Sequence, residues 1–293
     1  MARLMGRLVV LAGCLGLLAA GCGNQARFSK PRPKPHRHHM STDPRPTSTP
    51  QSYTPHSTTD PVNGSNGSAP ILSATNGFPR IVTMAMSHLP KSLTLVAWAP
   101  TGVPLPTDGS EVMHYKPRIG EAGPGGLVSQ FQVTLTSKPG PVSQFGTALY
   151  ETNPQAGAAV AAVSSRAGLR YPTSGEDVAI GSQIVAKAGA SGAYDVLAWH
   201  EGQWVVLVGA EDGLPMEESE AVAAYLHTHF LPAPFPAKSG QGQIVVTISS
   251  EGVDTQLAWQ LNRAVYQIKT YPATKDNALA ALAMAVSMRQ YPG

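Results

Sequence analysis

The chain has few cysteines and few charged residues. Its 293 residues include two cysteines, Cys14 and Cys22. Both lie in the first 22 residues, so no disulfide can form within the rest of the chain. Charged residues make up 13% of the sequence, against roughly 25% in an average soluble protein. The folded part must therefore be stabilised by burial of its apolar side chains, which make up 42% of the sequence.

A strongly basic surface is also missing. The formal net charge is +3. Six basic residues fall in one N-terminal segment, namely Arg27, Lys30, Arg32, Lys34, Arg37 and Arg45. The remainder of the chain is therefore close to neutral, whereas binding of nucleic acid needs a basic face on the fold. We expect no nucleic-acid partner.

Signatures of the common enzyme classes are absent from the sequence. It contains no Gly-x-Ser-x-Gly elbow, P-loop, dinucleotide fingerprint or His-Glu-x-x-His motif. Ser174, Asp195 and His200 can be combined into a triad, but their spacing does not require one. His227 and His229 lie two residues apart at the end of a predicted helix, on different faces, whereas two zinc ligands on a helix are usually four residues apart. We expect no catalytic residue, no metal and no cofactor.

The first 21 residues are typical of an export signal. Two arginines precede an apolar run over residues 8–20, which is shorter than the about 20 residues that span a bilayer. The run leads into the five residues Leu18-Ala19-Ala20-Gly21-Cys22. This motif resembles the lipobox of bacterial lipoproteins, which implies cleavage before Cys22 and diacylglycerol on its sulfur. We expect a membrane-anchored protein on the extracytoplasmic face of the cell membrane; an ordinary secretory signal is the alternative.

Residues 22–77 are predicted to be a lipid-anchored, disordered linker. Nine prolines lie between residues 31 and 70 among Ser, Thr, Asn and Gly. Such a segment has too little apolar surface to offset the entropy of ordering its backbone, so it serves as a spacer. Three histidines, His36, His38 and His39, allow a metal-binding interpretation, but we interpret them as part of a solvated low-complexity segment.

The remainder of the chain contains an internal duplication with a constant offset of 60 residues. Leu197-Ala198-Trp199 recurs as Leu257-Ala258-Trp259, and Val205 recurs as Val265. We divide the folded part into an N-terminal α+β unit (78–180), copy one (181–236) and copy two (237–293).

Each copy is predicted to fold as three strands followed by a helix. In copy one the strands cover residues 183–188, 194–199 and 204–208, and the helix carries an apolar stripe at Val222, Tyr225, Leu226 and His229. Gly202, in the second loop, is replaced by Asn262 in copy two, which predicts a positive φ angle at both positions. Thr274 is the predicted N-cap of the second helix.

The N-terminal unit is less regular. Helices are predicted over residues 78–89 and from Asn153 to about residue 167, with strands over 93–99 and 127–136 and a short strand around Tyr115. Whether this unit is a diverged third copy stays open. Taken together, we predict an α+β fold of antiparallel sheets, with helices packed on one face and an internal β-β-β-α duplication.

The three tryptophans of the two copies are the candidate ligand-binding residues. They are Trp199, Trp204 and Trp259, and each lies in or beside an apolar strand, where packing is the alternative role. Reactive residues differ between the copies, since Asp195 corresponds to Thr255. The duplication therefore preserves the fold of the two copies but not their reactive side chains.

Copy one also carries a longer pattern, Leu197-x-Trp199-x-x-Gly202, then an apolar strand and a helix with Glu217, Glu218 and Ala221. This pattern resembles an uncharacterised extracytoplasmic domain of Gram-positive lipoproteins and of sporulation or anti-sigma-like membrane proteins. The resemblance covers most of copy one, and copy two departs from it at Asn262 and Ala264. It implies a fold like half of the lipoprotein carriers, a curved sheet that cradles apolar groups, without catalytic residues.

Three functions remain open, and the third is an enzyme of a type that no motif in the sequence identifies. The first is a non-enzymatic binding or interaction lipoprotein whose surface contacts a protein, an envelope polymer or an apolar ligand. The second is a carrier-like module that holds a lipid or another apolar ligand in its curved sheet. A closed apolar pocket beside Trp199 and Trp259 favours the carrier, whereas a filled core with an exposed apolar patch favours the interaction module.

Overall fold

Short strands rich in apolar residues, many of them separated by glycine-containing turns, build most of the folded chain. The computed structural model describes residues 71–73, 77–181, 184–236 and 241–292. All of them belong to one unit, Asn63–Gly293. The predicted export signal lies outside the described residues, and so does the predicted linker apart from its last few residues.

The helices and strands alternate in groups along the chain. The described helices are α1 (Arg80–Met86), α2 (Asn153–Arg166), α3 (Met216–Thr228) and α4 (Asn277–Val286). The described strands are β1 (Ile71–Ser73), β2 (Trp98–Pro100), β3 (Gly102–Pro104), β4 (His114–Gly120), β5 (Leu127–Thr136), β6 (Pro141–Tyr150), β7 (Asp177–Ile180), β8 (Ile184–Ser191), β9 (Tyr194–Glu201), β10 (Trp204–Ala210), β11 (Gly242–Ser249), β12 (Gly252–Leu261), β13 (Ala264–Thr270) and β14 (Met288–Gln290).

Ten of the described strands form one continuous sheet. Their order is β4-β5-β6-β13-β12-β11-β10-β9-β8-β7. All neighbours are antiparallel except β10 and β11, which are parallel. A parallel pair needs a crossover connection, and α3 lies within that connection. The predicted α+β class with an antiparallel sheet is confirmed.

The predicted duplication is confirmed as well. Copy one folds as β8-β9-β10-α3 and copy two as β11-β12-β13-α4. Strands β10 and β13 are 60 residues apart at both ends. The turns that precede them place Gly202 at φ 56° and Asn262 at φ 54°, as predicted from the two residue types that best tolerate this conformation.

The sheet buries apolar side chains on both faces. Because side chains alternate along a strand, Trp259 faces one layer of helices and Ala258 faces the other side. The larger core includes residues of α1, α3 and α4, and the smaller core includes Ala156, Val160 and Val163 of α2. The helices of the two copies thus share one face, as predicted, and α2 of the N-terminal unit covers the other.

The N-terminal unit has the same order of elements as the copies. Strands β4, β5 and β6 form an antiparallel group followed by α2, and β5 covers the predicted residues. However, α2 packs on the opposite face from α3 and α4. The unit therefore shares the element order of the copies but not the position of their helix.

Three local predictions were wrong or incomplete. Residues 93–99 do not form one strand: a 3₁₀ turn covers Lys91–Leu93 and the chain extends only at β2. The ten-residue strand β6 was missed. Thr274 does not cap α4, because its hydroxyl donates to the carbonyl of Val142 and Asp276 occupies the N-cap position.

Candidate functional site

Trp199 and Trp259 occupy equivalent positions in the two copies and are both buried. Trp199 is 1% exposed and Trp259 is 0% exposed. Both point into the larger core, on the face of the sheet that α3 and α4 cover. Their indole Nε1 atoms have no hydrogen-bond partner among the described residues. The structure therefore places these two candidate ligand-binding residues in the interior.

A chain of aromatic rings runs across the sheet from copy one to copy two. The ring centroids of Trp204 and Trp259 are 6.0 Å apart, and those of Trp259 and Tyr266 are 5.4 Å apart with nearly parallel planes. Trp98 of β2 follows at 5.5 Å from Tyr266. Aromatic pairs at these separations stabilise a core beyond the area that they bury.

Tyr266 fixes this aromatic chain to the N-terminal unit. Its hydroxyl donates a 2.6 Å hydrogen bond to the carbonyl of Val96, and burial raises the pKa of the phenol well above its usual value. The side chain is 2% exposed. Rings therefore fill this part of the core, and the two cavities described below are lined by other residues than Trp199 and Trp259.

Trp204 connects the buried rings to the surface. Its indole is 6% exposed and it forms one wall of an open groove of about 390 Å³. We call this feature the Phe230 groove. Its lining residues are Glu201, Gly202, Gln203, Trp204, Leu226, His227, His229, Phe230, Leu231, Ala233 and Pro234.

The end of α3 positions the most exposed residue of the groove. The helix ends at Thr228, and the backbone of His229 is extended (φ −129°, ψ 133°). The His229 ring stacks on Tyr225 with centroids 3.9 Å apart and planes 6° apart, and its backbone N–H donates to the Tyr225 carbonyl. The following residue, Phe230, then projects away from the fold and is 97% exposed.

The segment that carries Phe230 is held at both ends. After the helix, the backbone N–H of Phe235 donates to the carbonyl of Gln260, and the N–H of Asn262 donates to the carbonyl of Phe235, both at 2.8 Å. These bonds attach the segment to the β12–β13 turn of copy two. Pro232 and Pro234 restrict the intervening backbone, since the proline ring fixes φ. Phe230 is therefore exposed on an anchored segment.

The groove is lined by both apolar and polar side chains. Leu226, Leu231 and Trp204 are apolar, while Glu201 and His227 are polar. Neither of the two ion pairs in the described part of the chain, Lys187–Asp177 and Lys269–Asp254, involves a groove residue. A large apolar side chain with nearly full exposure beside such a groove is the feature expected of an interaction site.

The second cavity lies between α3 and α4 and has a different character. It measures about 330 Å³ and its lining includes Glu218 and Asp276. The side chain of Asn277 at its floor is already engaged, since it donates to the carbonyl of Tyr271 and accepts from the hydroxyl of Thr270. Within the described ranges, no group of three or more His, Cys, Asp or Glu side chains is arranged to hold a metal ion.

Asp195 and His200, two of the three side chains considered for a catalytic triad, are not brought together. Asp195 and His200 lie near opposite ends of β9, about 16 Å apart along the strand at 3.3 Å per residue. Being five residues apart, they also point to opposite faces. His200 contacts the ring of Tyr171 at 5.1 Å. Asp195 and His200 therefore do not form the carboxylate–imidazole pair of a triad.

Sequence reasoning identified Trp204 but missed Phe230. The helical stripe was extended to His229, and the segment after it contains three prolines and no periodicity. The signal in the sequence was a large aromatic residue between a helix end and a proline-rich segment, where little apolar surface is available to cover it.

No described helix is long and apolar enough to cross a membrane. Comparison with protein-family models, with curated proteins and with solved structures finds no match to this chain.

Proposed function

We propose that this chain is an extracytoplasmic lipoprotein, anchored through lipid on Cys22, that acts as a non-enzymatic interaction module. The Phe230 groove is the site at which it binds a protein partner. The observation that carries this proposal is the 97% exposure of Phe230 beside an apolar groove. Full burial of a phenylalanine side chain is worth roughly 1.5–3 kcal/mol, and the free chain leaves this contribution unused.

The filled aromatic core supports an interaction module over a carrier. A carrier needs an apolar cavity that its ligand can enter. Here Trp259 stacks on Tyr266 and packs against Trp204. Aromatic rings therefore occupy the face of the sheet that α3 and α4 cover in copy two. Accessible apolar surface lies in the Phe230 groove, which is open to solvent and suits a side chain presented by a protein.

The binding test compares three forms of the full chain purified from their own membranes. They are wild type, Phe230→Ala, and Leu95→Ala, which removes an 86% exposed side chain outside the groove. A differently tagged copy of the chain is co-expressed, so that self-association is detected as well. We expect a co-purifying protein with wild type and Leu95→Ala that is lost with Phe230→Ala. The same proteins in all three samples would contradict the proposal.

Anchoring is tested separately with an alkyne-labelled fatty acid. Wild type should incorporate the label into the membrane fraction, and Cys22→Ser should not. Cys14→Ser is the matched control, because it removes the other cysteine of the leader and should leave labelling unchanged. Equal labelling of Cys22→Ser and wild type would reject the lipid anchor.

A further inference from the structure

Phe230 and the groove beside it form a matching pair on one surface. A cavity of about 150 Å³ lined by apolar side chains holds benzene, so the groove of about 390 Å³ has room for a phenyl ring. The ring that is available, that of Phe230, is 97% exposed and stands at the edge of the same groove. Because the Phe230 ring is almost fully exposed, the groove of its own chain does not cover it.

We propose that the partner is a second copy of this chain, and that in a twofold dimer Phe230 of each copy inserts into the groove of the other. This inference rests on the proposed function, since it names the partner of the same site. In a twofold interface the same patch faces itself, so a projection and a matching recess must lie side by side on that patch. The Phe230 groove meets this requirement.

The polar groups of the groove are compatible with self-association. Glu201 and two histidines, His227 and His229, line the groove. A carboxylate accepts hydrogen bonds and an imidazole N–H donates one, so Glu201 of one copy and His227 of the other are complementary across a twofold axis.

The size of the patch predicts a weak dimer that depends on the membrane. An aromatic side chain buries roughly 150–250 Å², so two insertions and their groove walls bury less than the roughly 1,600 Å² of a standard stable interface. Anchoring both copies on one membrane raises their effective concentration. Each insertion is worth at least about tenfold in the dimer dissociation constant, so loss of both weakens it roughly 100-fold.

Site-specific photo-crosslinking in cells tests the identity of the partner. Phe230 is replaced by p-benzoylphenylalanine in the full chain, and the product is analysed by mass spectrometry. We expect a product of twice the chain mass, with the crosslink on groove residues such as His227 or Ala233. A crosslink to a different protein would overturn the dimer and leave the proposed function standing. Absence of any product would overturn both.

A complementary pair of variants tests the insertion itself. Phe230→Ala keeps an open groove, and Ala233→Trp fills the groove but keeps Phe230; both positions are exposed, so both variants should fold. Measured with two tags in the same membrane, each variant alone should dimerise roughly 100-fold more weakly than wild type. The mixed pair keeps one insertion and should be only about tenfold weaker. If the mixed pair associates no better than either variant alone, insertion is refuted.

Discussion

Replacing Tyr266 by phenylalanine tests the claim that the aromatic chain is a sealed core. The ring is 2% exposed and lies between Trp259 and Trp98. Phenylalanine keeps these ring contacts and removes the hydroxyl, which donates to the carbonyl of Val96. The substitution therefore isolates the contribution of one partly buried hydrogen bond between Tyr266 and the N-terminal unit.

The expected loss at neutral pH is about 0.5–1.5 kcal/mol of unfolding free energy, because one partly buried hydrogen bond is lost. A second effect appears at alkaline pH. Burial raises the pKa of Tyr266 in the folded protein, whereas the unfolded phenol ionises near pH 10. The stability that comes from this difference is complete below about pH 10 and is lost as the pH rises above it, by about 1.4 kcal/mol per pH unit for one tyrosine.

Urea unfolding at pH 7 and at several values between pH 9.5 and about 11 measures both effects. Tyr266→Phe should be less stable than wild type at pH 7 and should lose stability less steeply above pH 10, so that the two proteins converge. Equal stability at pH 7 together with parallel alkaline slopes would show that the hydroxyl is hydrated. The description of a filled core would then be wrong.

Two further contrasts follow from the geometry of single residues. Phe230→Ala should change the unfolding free energy of the dilute chain by less than about 0.5 kcal/mol. Phe145→Ala removes a side chain that is 1% exposed and should lower the unfolding free energy by about 3–5 kcal/mol. Similar losses for the two variants in urea titrations would mean that Phe230 is covered in the free chain. Asn262→Ala should lower stability by about 1–2 kcal/mol because of the left-handed backbone at φ 54°. Gly202→Asn should have a much smaller effect, and equal shifts of the two melting temperatures would contradict this explanation.

The sequence was sufficient for the parts of the fold that depend on local patterns and on the duplication. Trp199 and Trp259 share a register because the same strand is used twice, and β5 was predicted from its alternation of apolar and polar residues. The positive φ angles at Gly202 and Asn262 follow from residue type alone.

Elements whose conformation depends on distant contacts were not predictable in the same way. Residues 93–99 are rich in β-forming residues, but Pro90 initiates a 3₁₀ turn and the buried residues are Leu93, Ala97 and Ala99, with Leu95 exposed. The pairing of β6 with β13 joins segments more than 100 residues apart, and no local pattern encodes it. The face of the sheet on which α2 packs also depends on contacts between distant segments of the chain.

The candidate site shows a similar limit. Trp204 stood out in the sequence as an aromatic residue, but its position between the core and a groove depends on where α3 ends and where Phe235 attaches to copy two. Exposure of Phe230 is the result of both, and neither is visible in a single sequence.

The most direct test of the account is the accessibility of the groove in the intact cell envelope. Ala233→Cys places a thiol in the groove, and Leu95→Cys places one at an exposed site elsewhere. Labelling by a membrane-impermeant maleimide is compared between cells and the purified, diluted chain. The account predicts that the thiol at position 233 is protected in cells and reactive after dilution, while the thiol at position 95 reacts at the same rate in both. Equal rates at position 233 in both states would show that nothing occupies the Phe230 groove.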